Sequence, residues 1–145
     1  MKYIILPLLA LAILTSCGSE AKKDKVSELE AEVMTIHDEV MPQMDQIMTL
    51  KSQLSKKIQH MDSLQNEGIS SNTIAEERIK AVDLNQKLNE SDKLMMGWMH
   101  AYRGDSAKKL SPEGATAYFE KEKEKILEVK QVTLKSIQEA QTFLE

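Results

Sequence analysis

The sequence predicts an all-α protein, and three observations support this fold class. Aromatic residues make up only 4% of the chain, and Glu, Lys, Gln, Leu and Met, which favour helix over strand, are abundant. Apolar residues recur at spacings of three and four over long segments, as they do on one face of a helix. Five glycines and three prolines leave few interruptions among the 145 residues. This length fits one domain with one core.

The first predicted helix covers residues 26–66 and follows a heptad pattern. Its apolar positions are Val26, Leu29, Val33, Ile36, Val40, Ile47, Leu50, Leu54, Met61 and Leu64. Such a sustained stripe is typical of a long helix that packs lengthwise against other helices. Pro42 lies within the stripe, and we expect a kink there because proline removes a backbone donor and clashes with the preceding turn.

Two further helices are predicted, over residues 71–102 and 111–144. The buried face of the second helix is formed by Ala81, Leu84, Leu88, Ser91, Met95, Trp98 and Tyr102. That of the third is formed by Phe119, Ile126, Val129, Thr133, Ile137, Ala140 and Leu144. Ser111 and Pro112 supply a cap and a first-turn proline for the third helix. We expect a turn at residues 103–106 and a solvated charged face at residues 120–125.

Short connections favour consecutive helices that lie side by side and run antiparallel. The sequence therefore predicts an up-down-up three-helix bundle with coiled-coil-like packing, whose long first helix is kinked near Pro42. In this arrangement Trp98 lies beside the level of Val40, and the third helix begins near the level of Ile36.

Residues 1–16 have the layout of a secretory signal peptide. A positive start at Lys2 precedes the apolar run YIILPLLALAIL, and the small residues Thr15 and Ser16 close the segment. The run is shorter than the about 20 residues that a bilayer-spanning helix needs. We therefore expect a cleaved signal and not a permanent transmembrane helix.

The four residues Leu14-Thr15-Ser16-Cys17 resemble the lipobox of bacterial lipoproteins. The resemblance implies that Cys17, the only cysteine in the chain, carries diacylglycerol and further acyl chains such as palmitate. Two or more acyl chains anchor a protein stably to a membrane. Residues 18–25 are small or charged, so residues 17–25 are predicted to be an acylated cysteine and a flexible tether ahead of a helical domain at 26–145.

Two stretches, EVMTIHDEVMPQM at 32–44 and SDKLMMGWMHAY at 91–102, are similar to small helical lipoproteins of Gram-negative bacteria labelled viral A-type inclusion protein. The label reflects coiled-coil similarity, and the resemblance implies no activity. It implies a lipid-anchored location in the bacterial cell envelope, which we expect to be the outer membrane.

Methionine and histidine side chains form a second stripe beside the heptad positions. The candidate ligand or partner face consists of Met34, His37, Met41, Met44, Met48, Met95, Trp98, Met99 and His100. One interpretation is ordinary core packing, in which methionine fills irregular gaps. A second is a soft-metal site, because thioethers and imidazole suit Cu(I). A third is an adaptable groove for a partner helix or an acyl chain.

The sequence favours a non-enzymatic binding or structural module, with a ligand carrier or a self-assembling coiled coil as alternatives. Motifs for di-iron, c-type haem or nucleotide chemistry are missing, so we assign neither a cofactor nor a metal site. The formal net charge is -4 without a basic stripe, which argues against a nucleic-acid partner. We expect the membrane as a partner through the anchor, with an envelope protein or a second copy as further candidates. Ser106, in Asp-Ser-Ala, is a possible O-glycosylation site.

Overall fold

A computed structural model describes residues 18–69 and 71–145, so the signal segment and Cys17 lie outside the described residues. Within these ranges all regular secondary structure is helical, which confirms the predicted all-α class. The helices are α1 (Gly18–Val40), α2 (Gln43–Asn66), α3 (Asn72–Ala101), the single turn α4 (Gly104–Ala107) and α5 (Pro112–Leu144). They pack together as a helical bundle.

The first long helix is bent at Pro42, as predicted. Helix α1 ends at Val40 and α2 begins at Gln43. The Met41 N–H still donates to the His37 carbonyl at 2.9 Å, and the Met44 N–H donates to the Met41 carbonyl at 3.1 Å. These hydrogen bonds carry the chain through the break in a helix-like path, so the direction of the helix changes at Pro42 without a loop.

Helix α1 begins earlier than expected, because residues 18–25, predicted as a flexible tether, are helical. Lys22 in this segment pairs with Glu113 of α5 at 2.6 Å. Val26 and Leu29 are buried one and two turns further along. The composition of residues 18–25 did not predict this extension. A polar first turn can be helical when a neighbouring helix packs against it, because most helical stability in proteins comes from such packing.

The starts of α3 and α5 have the caps that their sequences suggest. The Ser71 hydroxyl accepts from the Ile74 N–H, and the Ser111 hydroxyl accepts from the Gly114 N–H, both at 3.2 Å. Each cap satisfies one donor that a helix start leaves without an intrahelical partner. The segment expected to be a simple turn at residues 103–106 instead forms α4.

Ion pairs and hydrogen bonds between helices define their relative directions. Three pairs join α1 to α5 at one constant sequence separation of 91: Lys22–Glu113, Glu32–Lys123 and Glu39–Lys130. Because both numbers rise together, α1 and α5 run in the same direction. The first turn of α5 lies beside Lys22, so the prediction that this helix begins near the level of Ile36 was wrong. In the pairs Lys51–Asp92 and Asp62–Arg78 the α3 number falls as the α2 number rises, so α2 and α3 run in opposite directions.

The kink changes the partner of the first helix. Helix α1 packs chiefly along α5, α2 packs chiefly along α3, and α3 and α5 pack along each other. The core of the α2 half consists of Ile47, Leu50, Leu54, Ala81, Leu84, Leu88, Ile137 and Ala140. The core of the α1 half consists of Val26, Leu29, Val33, Val40, Met95, Trp98, Ala107, Ala115, Phe119, Ile126 and Val129.

Candidate functional site

An aromatic ladder crosses the α1 half and contains two residues of the predicted face, His37 and Trp98. The rings of His37 and Trp98 have centroids 5.7 Å apart, and Trp98 is 5.0 Å from Tyr102. The ladder continues to Tyr118 at 6.3 Å and then edge-on to Phe119 at 5.3 Å. Helix α1 is thus joined through α3 to the start of α5 by consecutive ring contacts.

The predicted methionines divide between the core and the surface. Met95 is fully buried, and Met44 and Met99 are partly buried against the same cluster as Trp98. Met34 is half-buried, and Met41 is 36% exposed at the bend. Met48 is 59% exposed, which places it outside this cluster.

The two histidines of the predicted face have different surroundings. The His37 side chain is only 17% exposed, and its Nδ1 lies 2.9 Å from Asp38 Oδ1. His100 is exposed in the last turn of α3, two positions past Trp98 and therefore on another side of the helix. The structure thus brings His37 to Trp98 and does not bring His100 to them.

The α3–α4 connection forms around Tyr102 and Tyr118. The Arg103 N–H donates to the Tyr118 hydroxyl at 2.6 Å. The Arg103 guanidinium donates to the carbonyls of His100 and Tyr102 at 2.6 and 2.8 Å. These bonds satisfy carbonyls at the end of α3 that lack intrahelical partners, so Arg103 has a structural role. Ser106 is exposed in α4, and its glycosylation stays a prediction.

The Tyr102 side chain is enclosed closely enough to raise the pKa of its hydroxyl. A Cβ at Gly104 would lie 2.7 Å from the Tyr102 hydroxyl oxygen, so glycine provides room for this ring. The hydroxyl is buried without a hydrogen-bond partner among the described residues. Burial, followed by the nearby charge of Glu30, raises the pKa of Tyr102 to about 12.

Sequence reasoning correctly placed Ser91 and Thr133 on buried faces but missed two buried polar side chains of α5, Ser136 and Glu122. Ser91 and Ser136 share a 2.8 Å hydrogen bond between α3 and α5, and Thr133 is also buried. Glu122, expected to lie on a solvated charged face, is only 3% exposed. Its Oε1 pairs with Lys125 at 2.6 Å, and its Oε2 has no partner among the described residues.

The spacing of α5 contains the signal that identifies Glu122 as buried. The core positions of α5 follow a regular alternation of four and three residues: Ala115, Phe119, Glu122, Ile126, Val129, Thr133, Ser136 and Ala140. This alternation is the a/d pattern of a heptad, and position 122 belongs to it whatever its residue type. The run of charged residues at 120–125 suggested a solvated face, so the heptad position of Glu122 was overlooked.

Groups of three or more His, Cys, Asp or Glu side chains placed to hold a metal ion do not occur in residues 18–69 and 71–145. In the same ranges no helix is long and apolar enough to cross a bilayer. Comparisons with protein-family models, curated proteins and solved structures found no match. Hypotheses about function therefore depend on the residues themselves.

Proposed function

We propose that this protein is a lipid-anchored lipoprotein of the bacterial cell envelope, located in the outer membrane, whose helical domain is a non-enzymatic binding or structural module. The resemblance of residues 14–17 to a lipobox supports acylation of Cys17. The directions of the helix pairs support an up-down-up three-helix bundle with coiled-coil-like packing.

The lipobox-like sequence at residues 14–17 is the observation that carries this proposal, and the start of α1 indicates how the anchored domain would be oriented. Gly18, the residue directly after Cys17, is already helical. An acyl anchor on Cys17 would therefore hold the start of α1 close to the membrane surface. Because the Lys22–Glu113 pair joins the second turn of α1 to the first turn of α5, the start of α5 would lie near that surface too.

Side chains at this end of the bundle suit a lipid surface. Lys23 lines a surface cavity together with Leu110, which is 55% exposed. Lys25 lies on the other side of α1, beside the start of α5. Lysines attract anionic headgroups, and an exposed leucine can enter the interfacial region of a bilayer. The anchored end would thus contact the membrane through more than its acyl chains.

Mass spectrometry of the protein extracted from its own envelope in mild detergent tests the anchor. We expect a chain that starts at Cys17 and carries the added mass of diacylglycerol and a further acyl chain. The variant Cys17→Ser should lose this mass and stay unprocessed, whereas Ser19→Ala should be acylated normally. An unmodified thiol at Cys17 in the extracted protein would contradict the proposal.

The module hypothesis requires its own test, because acylation is compatible with an enzyme. Cross-linking in intact cells, followed by identification of the linked peptides, should find an envelope protein or a second copy bound to the helical surfaces. Sedimentation at increasing concentration then distinguishes the two, since only self-association raises the mass of the purified protein. Turnover in an envelope hydrolase screen, abolished by one polar substitution, would contradict a non-enzymatic role.

A further inference from the structure

Two methionines flank His37 on one side of the first long helix, Met34 within α1 and Met41 in the bend directly after it. Met34 precedes His37 by three residues and Met41 follows it by four, so the three side chains occupy successive turns of one helix face. The contact between His37 and Trp98 turns this face toward α3. Two thioethers and one imidazole therefore lie along one side of the first long helix, and the imidazole contacts Trp98 of α3.

The His37 ring is held in a way that suits a ligand. Its Nδ1 lies 2.9 Å from the Asp38 carboxylate, which leaves Nε2 as the nitrogen for another partner. Histidines that bind metals commonly donate their other ring N–H to a carboxylate, which fixes the tautomer and raises the basicity of the ligating nitrogen. The Asp38 side chain is 74% exposed and supports the ring from the solvent side.

Helix α3 contributes an aromatic face and another sulfur to the cluster around this contact. Trp98 is 7% exposed, and its buried Nε1 has no hydrogen-bond partner among the described residues. Met99, the next residue, is partly buried against the same cluster. An indole face attracts cations electrostatically, most strongly where water is excluded.

We propose that Met34 and His37 of α1 and Met41 at the bend, with Met99 of α3, bind a soft monovalent cation, Cu(I), against the indole of Trp98. The donor set determines the class of metal. Thioether sulfur is a soft ligand that selects Cu(I), whereas Mg²⁺ and Ca²⁺ need oxygen ligands and structural Zn²⁺ sites use thiolate or several imidazoles. The site is independent of the lipid anchor and requires no redox step, since the ion binds and leaves in one oxidation state.

Access to this site needs no unfolding. The His37 side chain retains 17% exposure, and Met41 beside it is 36% exposed. A cation can therefore exchange at this exposed edge of the cluster, while Trp98 covers its inner side. This geometry fits a carrier that receives and releases its ion better than it fits a permanently enclosed structural metal.

Titration of the full mature protein in detergent tests the site. Ag(I), a redox-inert analogue, and Cu(I) under anaerobic conditions are added against a competing chelator. Fluorescence is a direct readout because Trp98 is the only tryptophan in the chain. We expect one ion per chain in the native mass spectrum and quenching of Trp98 that saturates at that ratio.

Variants identify the ligands. Met34→Leu with Met41→Leu, and separately His37→Gln, should each weaken Ag(I) binding by about tenfold or more, because changes at or next to a metal ligand commonly have effects of this size. Asp38→Asn should also weaken it about tenfold while the free energy of unfolding stays unchanged, as expected of a positioning residue. The matched controls are Met48→Leu and Met96→Leu, both at exposed positions, which should retain wild-type affinity.

Three results would overturn the proposal. The first is no stoichiometric Ag(I) or Cu(I) binding by the wild-type protein. The second is equal loss of binding in the control variants, which would indicate nonspecific thioether binding. The third is full affinity in a protein with Met34→Leu, His37→Gln and Met41→Leu combined whose circular dichroism still shows the native helix content.

Discussion

The α1 half and the α2 half of the bundle have cores that are built from different kinds of side chain. In the α2 half the first helix packs along α3, and the core is aliphatic, with Ala81 and Ala140 fully buried. In the α1 half the first helix packs along α5 instead, and Trp98, Met95 and Phe119 fill the core. The bend at Pro42 separates the two arrangements.

The comparison shows where unusual residues can be accommodated. Each half buries two alanines, so the halves differ in their larger core side chains, which are aliphatic in the main cluster of the α2 half. Where α1 follows α5, planar side chains, including His37 and Tyr102, pack around Trp98 of α3. Most of the buried aromatic and sulfur-containing side chains thus lie in the half that contains the proposed cation site.

Truncation of one large core side chain in each half should produce the largest loss of stability. Phe119 and Leu88 are both fully buried. We expect Phe119→Ala to lower the free energy of unfolding by about 3–5 kcal/mol and Leu88→Ala by about 2–5 kcal/mol, because each leaves a cavity. Urea denaturation followed by circular dichroism measures both.

The control for this pair is Leu134→Ala, since Leu134 is exposed on α5 and its truncation should change stability by less than about 0.5 kcal/mol. If Phe119→Ala lowers the free energy of unfolding as little as the control does, the aromatic core of the α1 half is loosely packed. The two halves would then differ in how tightly they pack as well as in composition.

Two glycines test how tightly the end of the α1 half is packed. A Cβ at Gly104 would meet the Tyr102 ring, so Gly104→Ala should cost about 1–3 kcal/mol as overpacking does. Gly97 lies inside α3 with open space around it, and Gly97→Ala should stabilise the protein by up to about 1 kcal/mol through helix propensity. Thermal unfolding of the two variants should therefore shift in opposite directions.

The Gly104 result can be attributed by a double variant. In a Tyr102→Leu background the obstructing hydroxyl and ring are absent, and Gly104→Ala should then cost much less. Additive effects of the two substitutions would contradict a clash between these residues.

Replacement of Glu122 should stabilise the α1 half. This carboxylate is buried with one oxygen unpaired, and burial of a charged group is costly even when one partner is present. We expect Glu122→Met to raise the free energy of unfolding by about 1 kcal/mol or more. Glu124→Met, at an exposed position in the same charge run, is the matched control and should have little effect. Destabilisation by Glu122→Met alone would show that Glu122 has a favourable partner in solution.

Alkaline pH should weaken the same half through Tyr102. Its pKa is raised from 10.0 to about 12, mainly by burial, so the folded state holds the phenolic proton more tightly than the unfolded state. The contribution of this proton to the free energy of unfolding is fully present below pH 10 and is lost as the pH rises from 10 through about 12. Tyr102→Phe should remove this part of the pH dependence. Because the lysines titrate in both proteins, the difference between their denaturation profiles isolates Tyr102, and identical slopes would contradict the assignment.

Periodicity predicted the helices and the bend well, because spacing alone determines which face of a helix is apolar. The heptads identified the buried positions of the first helix, and the proline identified the bend near Val40. The start of α1 and the burial of Glu122 were predicted wrongly. In both cases local charge suggested solvent, whereas contacts with another helix determine the outcome.

The candidate face could be predicted only in part. Spacing placed Met34, His37 and Met41 on one side of the first helix, and the antiparallel count placed Trp98 near them. Matching levels along antiparallel helices did not determine which side chains face the cluster around Trp98. His100 and Met48 were therefore included in the candidate face, although both are exposed and lie apart from that cluster. The His37–Asp38 pairing and the change of packing partner at the bend are properties of the three-dimensional arrangement.

The smallest expected effect tests the register of α1 against α5. Glu39–Lys130 and Glu32–Lys123 share one sequence separation, and all four side chains are about one-third to one-half exposed. Such pairs contribute at most about 1 kcal/mol each, and salt screens them. Glu39→Lys should therefore lower stability by up to about 1 kcal/mol at low salt.

The reversed pair, Glu39→Lys with Lys130→Glu, should recover the stability lost in the single variant. Reversal of Glu39 with Lys123 should not, because Lys123 faces Glu32 one heptad away. Recovery with both lysines would mean that α1 slides along α5 in solution. A sliding α1 would disperse the contacts around His37 and Trp98, so this small electrostatic effect also tests whether the α1 half is ordered enough to hold a defined site.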